Sequence, residues 1–167
     1  TTMCLIPIVC EAVQIPVIAA GGIGTGKGML AAMNLGADGV QIGSRFVTSN
    51  ESSAHQNFKN NIVEAKEGDT ILTLKEITPV RMVKNGFFEQ IYMAYQNGAS
   101  VEELKSLLGR GRAKKGMFEG DLDNGELEIG QISGLISDIK PAKEIVDEII
   151  QEFRSALEYQ KNKKYNF

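Results

Sequence analysis

Tryptophan is absent from this chain, histidine occurs once, and only two cysteines and four prolines are found among its 167 residues. So few cysteines exclude a disulfide-stapled scaffold. Cys4 and Cys10 fall in one segment that reads as helical, where six positions turn about 600° and set the two side chains on different faces. They are expected as free thiols, which suits a reducing, cytoplasmic setting. No stretch approaches the roughly 20 apolar residues of a membrane span, and the charged-then-apolar layout of a signal peptide is missing. An excess of either charge is missing too: 18 Lys and Arg stand against 21 Asp and Glu, a net charge of -3. That balance gives no global reason to expect nucleic acid or an anionic membrane as partner. With 43% apolar and 23% charged residues, disordered and collagen-like classes are excluded, and the length suits one ordinary domain.

What is present is glycine, 18 residues of it, placed with a period. Residues 5–13 are apolar at most positions, with Pro7 expected in a first helical turn. The run Ile15-Pro16-Val17-Ile18-Ala19-Ala20, closed by Gly21-Gly22, is how a strand buried on both faces of a parallel sheet reads. A helix follows over 27–35, ended by Gly36. Then Gly39-Val40-Gln41-Ile42 forms a second short strand, closed by Gly43-Ser44. From about residue 50 to 128 the texture is polar and mixed, which reads as a mainly helical insertion with helices over 54–66, 87–96 and 101–108. The last of these opens on a capping box, Ser100-Val101-Glu102-Glu103, just after the stop signal Asn97-Gly98. Gly130-Gln131-Ile132-Ser133-Gly134-Leu135-Ile136 leads into a long final helix over 141–160, whose stripe of Ile145, Ile149, Ile150, Phe153, Ala156 and Leu157 must cover a sheet or another helix. The tail 161–164 is expected to fray. The expected class is α/β, divided as 1–49, an insertion at 50–128, and a return at 129–167.

Carboxyl ends of parallel strands are where α/β proteins collect backbone N–H groups and bind phosphate. Gly22 and Gly43 occupy two such ends, and glycine there lets the main chain approach an anion with no Cβ in the way. Ser44 adds a hydroxyl donor. A competing motif overlaps: Gly21 through Lys27 satisfies G-x-x-x-x-G-K of a nucleotide-triphosphate loop. Gly28, however, stands where a magnesium-ligating Ser or Thr is required, and the second strand ends without a carboxylate.

The stretches Pro16 to Ile23 and Leu35 to Phe46 resemble the last two strands of the FMN-dependent TIM barrels that include nitronate monooxygenases. Thr1-Thr2-Met3, Glu51-Ser52-Ser53-Ala54-His55-Gln56-Asn57 and Pro79-Val80-Arg81-Met82-Val83-Lys84-Asn85 are more similar to the enoyl-[acyl-carrier-protein] reductase II branch. The resemblance implies the carboxyl-terminal part of a TIM barrel. Its FMN phosphate would be held by Ala20, Gly21 and Gly22 at the first turn and by Gly43 with Ser44 at the second. Gln131 and Ser133 match a Gly-Gln-x-x-Gly stretch that would return near the flavin. NADPH or NADH would supply hydride, and a small-molecule or acyl-carrier-protein-linked enoyl thioester would receive it. No metal is implied. A full barrel needs about 250 residues, so the earlier strands and the family's catalytic histidine would lie before Thr1, leaving this chain inactive alone. Apolar surface left without its strands would favour self-association, as in a homodimer.

His55 sits among Ser52, Ser53, Gln56 and Asn57 at a helix start, where a solvated or structural role outweighs catalysis. Lys105, Arg110, Arg112, Lys114 and Lys115, interleaved with glycines, would suit a 2′-phosphate or an acidic carrier protein, or simply form solvated surface. Asp121-Leu122-Asp123-Asn124-Gly125-Glu126 fails as a calcium loop because its glycine comes one place early and its twelfth position is Ile132, so a turn is expected.

Overall fold

The computed structural model describes residues 1–163. Helix α1 (Thr2–Ala12) leads to strand β1 (Ile18–Ala20), helix α2 (Gly26–Asn34) and strand β2 (Gly39–Gln41). β1 and β2 pair in parallel, Ile18 opposite Gly39 and Ala20 opposite Gln41, so the expected strand–helix–strand unit is present. Ile6, Ala19, Ile23, Ala32 and Ala37 close its core. Two expectations change here. The helix begins at Thr2, which places Pro7 in its interior; the carbonyl that Pro7 cannot bond belongs to Met3, which is exposed and open to water. β1 is also not buried on both faces: Ala19 is buried, but Ile18, whose side chain points to the opposite face, is 56% exposed. Met3, Leu5 and Ile8 of α1 are exposed as well.

Beyond the short helix α3 (Ser44–Val47) come α4 (Gln56–Glu64), strands β3 (Thr70–Thr73) and β4 (Val80–Val83), α5 (Gly86–Gln96) and α6 (Val101–Leu108). The insertion is therefore not simply helical: β3 and β4 form an antiparallel hairpin with Thr70 opposite Val83 and Leu72 opposite Arg81. Leu74, Met82, Phe87, Phe88, Ile91 and Leu104 make its core. The capping box is formed as expected, Ser100 Oγ accepting from the Glu103 N–H while the Glu103 carboxylate takes the Ser100 N–H. A single π turn (Lys114–Phe118) and a 3₁₀ turn (Gln131–Leu135) precede α7 (Ala142–Asn162), which runs two residues past the expected end. Lys161 and Asn162 are thus helical, while residue 164 of the expected tail lies outside the described residues. A third core, from Phe58, Ile62, Val83, Leu127, Ile129 and Ile136, joins the insertion to the return segment. No helix among the described residues is long and apolar enough to cross a membrane.

Lys59 of α4 is buried, and its ammonium donates to the carbonyls of Ser49 at 2.7 Å, Ser52 at 2.9 Å and Asn50 at 3.3 Å. It pins the loop that leaves α3. Lys59→Met keeps much of the stem but strands three carbonyls, so stability is expected to fall by about 2 kcal/mol. A urea titration followed by circular dichroism checks this; an unchanged midpoint would show that water satisfies the loop equally well.

Candidate functional site

The register of β1 against β2 sets the site. Gly22 and Gly43 each lie two residues beyond a paired position, Ala20 and Gln41, so the two turns leave the same sheet edge as neighbours. Adjacent strands are about 4.8 Å apart. Gly21 and Gly22 have φ of 95° and 73°, in the left-handed region that favours glycine. A Cβ built on Gly22 or Gly43 would meet nothing within 4 Å, so both turns face open space. The Gly22 N–H donates to no acceptor among the described residues. Thr2 Oγ1 donates to the Gly21 carbonyl at 2.9 Å and ties the start of α1 to the first turn. At the second, Ser44 Oγ accepts from the Gly130 N–H at 3.0 Å, which leaves the hydroxyl's own proton to be donated elsewhere. Two side-chain-free turns, an unused N–H and a hydroxyl donor fit a phosphate ester.

Each turn lines a groove. Gly21 and Gly22 line one of about 540 Å³ with Thr2, Ile6 and Ala31. Gly43 and Ser44 line another of about 390 Å³ with Arg81, Glu128 and Gly130. Ala20 is exposed at the end of β1, and Gln131 is exposed on the 3₁₀ turn. Ser133 is different: it is wholly buried and its Oγ has no partner. With three residues per 3₁₀ turn, the chain that presents Gln131 to solvent has rotated Ser133 into the interior, where α4 packs, so its hydroxyl has no surface for a ligand to touch.

The nucleotide-loop alternative fails on geometry as well as sequence. Glu152 of α7 accepts from the Gly26 N–H at 2.6 Å and Thr25 Oγ1 from the Gly28 N–H at 3.0 Å, so the α2 amino-terminus is filled by the protein's own oxygens. His55 caps α4, its Nδ1 accepting from the Asn57 N–H at 3.1 Å, and its ring packs so tightly on Gly120 that a Cβ there would come within 2.2 Å. That is the structural role expected. The basic run does not act as one patch. Arg112 turns inward, donates to the carbonyls of Leu107, Leu108 and Asn124, and lies 4.4 Å from the Phe87 ring centroid. Lys114 pairs with Glu119 and Lys115 with Asp121. Asp121 closes a turn by accepting from the Asp123 and Asn124 N–H groups; the Asn124 bond is the main reason its carboxyl is held down at about 2. Glu126 goes the other way, pushed up to about 7 by burial and by the neighbouring Glu128 charge.

The family model for nitronate monooxygenase matches residues 1–152, across both glycine turns and the 3₁₀ return. The chain belongs to the nitronate monooxygenase family. A probable nitronate monooxygenase of Staphylococcus aureus (strain MSSA476) is 34% identical over 159 residues, covering 95% of this chain and 44% of that protein. Among solved structures, FabK from Thermotoga maritima is 40% identical with a TM-score of 0.86, over 96% of this chain and 51% of that one. A nitroalkane oxidase from Streptomyces ansochromogenes is 31% identical with a TM-score of 0.74, over 95% and 45%. The chain spans about half the length of the relatives it matches. Nitronate monooxygenase family proteins are flavin-dependent oxidoreductases.

Proposed function

We propose that this chain forms the phosphate-holding part of an FMN-dependent enoyl-[acyl-carrier-protein] reductase of type II, as the last two strands and helices of a TIM barrel with its insertion. The observation that carries the reading is the in-register pair of open turns at Gly22 and Gly43. The Gly22 N–H and the Ser44 hydroxyl are the donors offered to the phosphate. Gly43 leaves the room, Thr2 fixes the first turn, and the exposed Gln131 amide stands on the segment that Ser44 anchors. When bound, FMN supplies a two-electron acceptor for hydride from NADPH or NADH. The hydride's destination is the β-carbon of an enoyl thioester, free or linked to an acyl-carrier protein. The exposed apolar residues of α1 and β1 support a homodimer or another covering partner.

The 40% identity to FabK across 96% of this chain supports enoyl reduction; nitronate oxidation is the second reading, supported by the family and the curated relatives. The chain purified with FMN is expected to quench flavin fluorescence and stay yellow after gel filtration. A colourless chain that binds ribose 5-phosphate as tightly as FMN overturns the flavin reading in favour of a non-redox phosphate-ester protein. In an enzyme that carries the whole barrel, bound flavin that is bleached by NADPH and recovers with crotonyl thioester supports enoyl reduction. Bleaching by an alkyl nitronate but not by NADPH supports the second reading.

A further inference from the structure

Three arginines are partly or fully buried in this fold, and two of them are spent. Arg45 is paired with Asp138 and bonded to Thr48, and Arg112 gives all three of its guanidinium nitrogens to carbonyls. Arg81 is not. It lies on β4, and its Nη1 reaches diagonally across the hairpin to donate to the Thr70 carbonyl at 3.2 Å and the Thr70 hydroxyl at 3.1 Å. Those two bonds fix the plane of the guanidinium. Of the five N–H donors an arginine carries, the three on Nε and Nη2 have no partner among the described residues, and no carboxylate pairs with the charge. This half-buried, pre-oriented cation lines the same groove of about 390 Å³ as Gly43 and Ser44. Glu128 lines that groove too. The Ile129 N–H donates to the Arg81 carbonyl at 3.0 Å, so the two side chains come from neighbouring backbone, yet they form no ion pair.

We propose that Arg81 is a ligand-binding residue that takes a phosphate oxyanion through its free Nε–Nη2 edge, with Glu128 accepting from a hydroxyl of the same ligand. The ligand class is a polyol phosphate. A partly desolvated guanidinium with an open fork matches two phosphate oxygens in a way no lysine can. A carboxylate left unpaired beside it would repel a bare anion, but suits a molecule carrying both a phosphate and sugar hydroxyls. Two sources offer that chemistry: the ribityl phosphate of FMN, and the ribose phosphates of a nicotinamide dinucleotide. The proposal rests on the flavoenzyme reading for these two candidates, and on the groove alone for the chemistry.

The test titrates the chain and its Arg81→Met and Arg81→Lys variants with FMN, NADPH and ribose 5-phosphate by calorimetry, with a thermal melt of each ligand-free protein. Arg81→Met is expected to weaken FMN or NADPH at least about tenfold, and the ligand affected identifies the source. Arg81→Lys, which keeps the charge without the fork, should recover only part of the loss. If the methionine variant does not fold, the lysine variant decides: a loss of about threefold or more supports the proposal and unchanged affinity overturns it. Wild-type binding of FMN with every ligand unaffected by either variant overturns the role of Arg81 and leaves the flavin reading intact. No FMN binding, but Arg81-dependent binding of ribose 5-phosphate, overturns the flavin reading and keeps the role. Binding of none of the three overturns both.

Discussion

Gly43→Val is expected to weaken FMN binding at least about 100-fold, equivalent to about 2.7 kcal/mol, while leaving the thermal midpoint within about 2 °C of the parent chain. The backbone at Gly43 has φ -104° and ψ -67°, which a side chain can adopt, and an added Cβ meets nothing within 4 Å. The fold therefore has little reason to object. The ligand does: a phosphate oxygen bonded to the main chain must come to about 2.9 Å, whereas a valine methyl holds heavy atoms out at about 3.5–4 Å. Position 43 separates binding from stability in a way position 22 does not, because φ of 73° at Gly22 makes any side chain there costly on backbone grounds alone. Parallel fluorescence titration and melting of Gly43→Val give the two readouts. FMN affinity within threefold of the parent would remove the second turn from the phosphate site.

The glycine turns were legible in the sequence because each depends on a local requirement, a strand end followed by a residue without Cβ, and the 21-residue spacing of Gly22 and Gly43 reports that the two units are alike. Helices α5 and α6 were legible for the same kind of reason: Asn97-Gly98 and the Ser100–Glu103 box act within a few residues of themselves. The β3–β4 hairpin was not. Each strand has only four residues, too few for alternation to stand out, and both lie in a polar stretch whose core residues, Leu74 and Met82, meet Phe87 and Leu104 only after folding. The fates of Arg112 and Ser133 were hidden too, since a charge run read along the chain carries no sign of a phenyl ring and three carbonyls waiting inside, and a Gly-Gln-x-x-Gly stretch does not reveal the rotation of a 3₁₀ turn. Arg81 was visible only as part of a family-like stretch; its unused donors emerge from the pairing of two strands.

Gly26→Ala is expected to destabilise the chain by about 3 kcal/mol or more, or to prevent folding, although replacing glycine by alanine inside a helix ordinarily gains up to about 1 kcal/mol. The sign reverses because of what lies opposite. A Cβ on Gly26 would sit 2.3 Å from the Ile149 carbonyl oxygen and 2.3 Å from the Phe153 amide nitrogen, both backbone atoms of α7 that no rotamer change can move. α2 and α7 would have to separate, and with them would go the Glu152 carboxylate that satisfies the Gly26 N–H, and the buried packing of Ile149. Gly28, two residues on, supplies the control: its Cβ would find the Thr25 hydroxyl at 3.3 Å, an Ile23 methyl at 3.6 Å and the Ile23 Cα at 3.9 Å, none of them a clash, so Gly28→Ala should be neutral or slightly stabilising. Urea unfolding of the two variants discriminates between explanations of the Gly21–Gly28 run. If its glycines served a nucleotide loop, Gly26→Ala would keep its midpoint and lose only a ligand. A midpoint that collapses for Gly26→Ala and holds for Gly28→Ala assigns the second half of the run to the close crossing of two helices, and leaves the phosphate to the turns at Gly22 and Gly43.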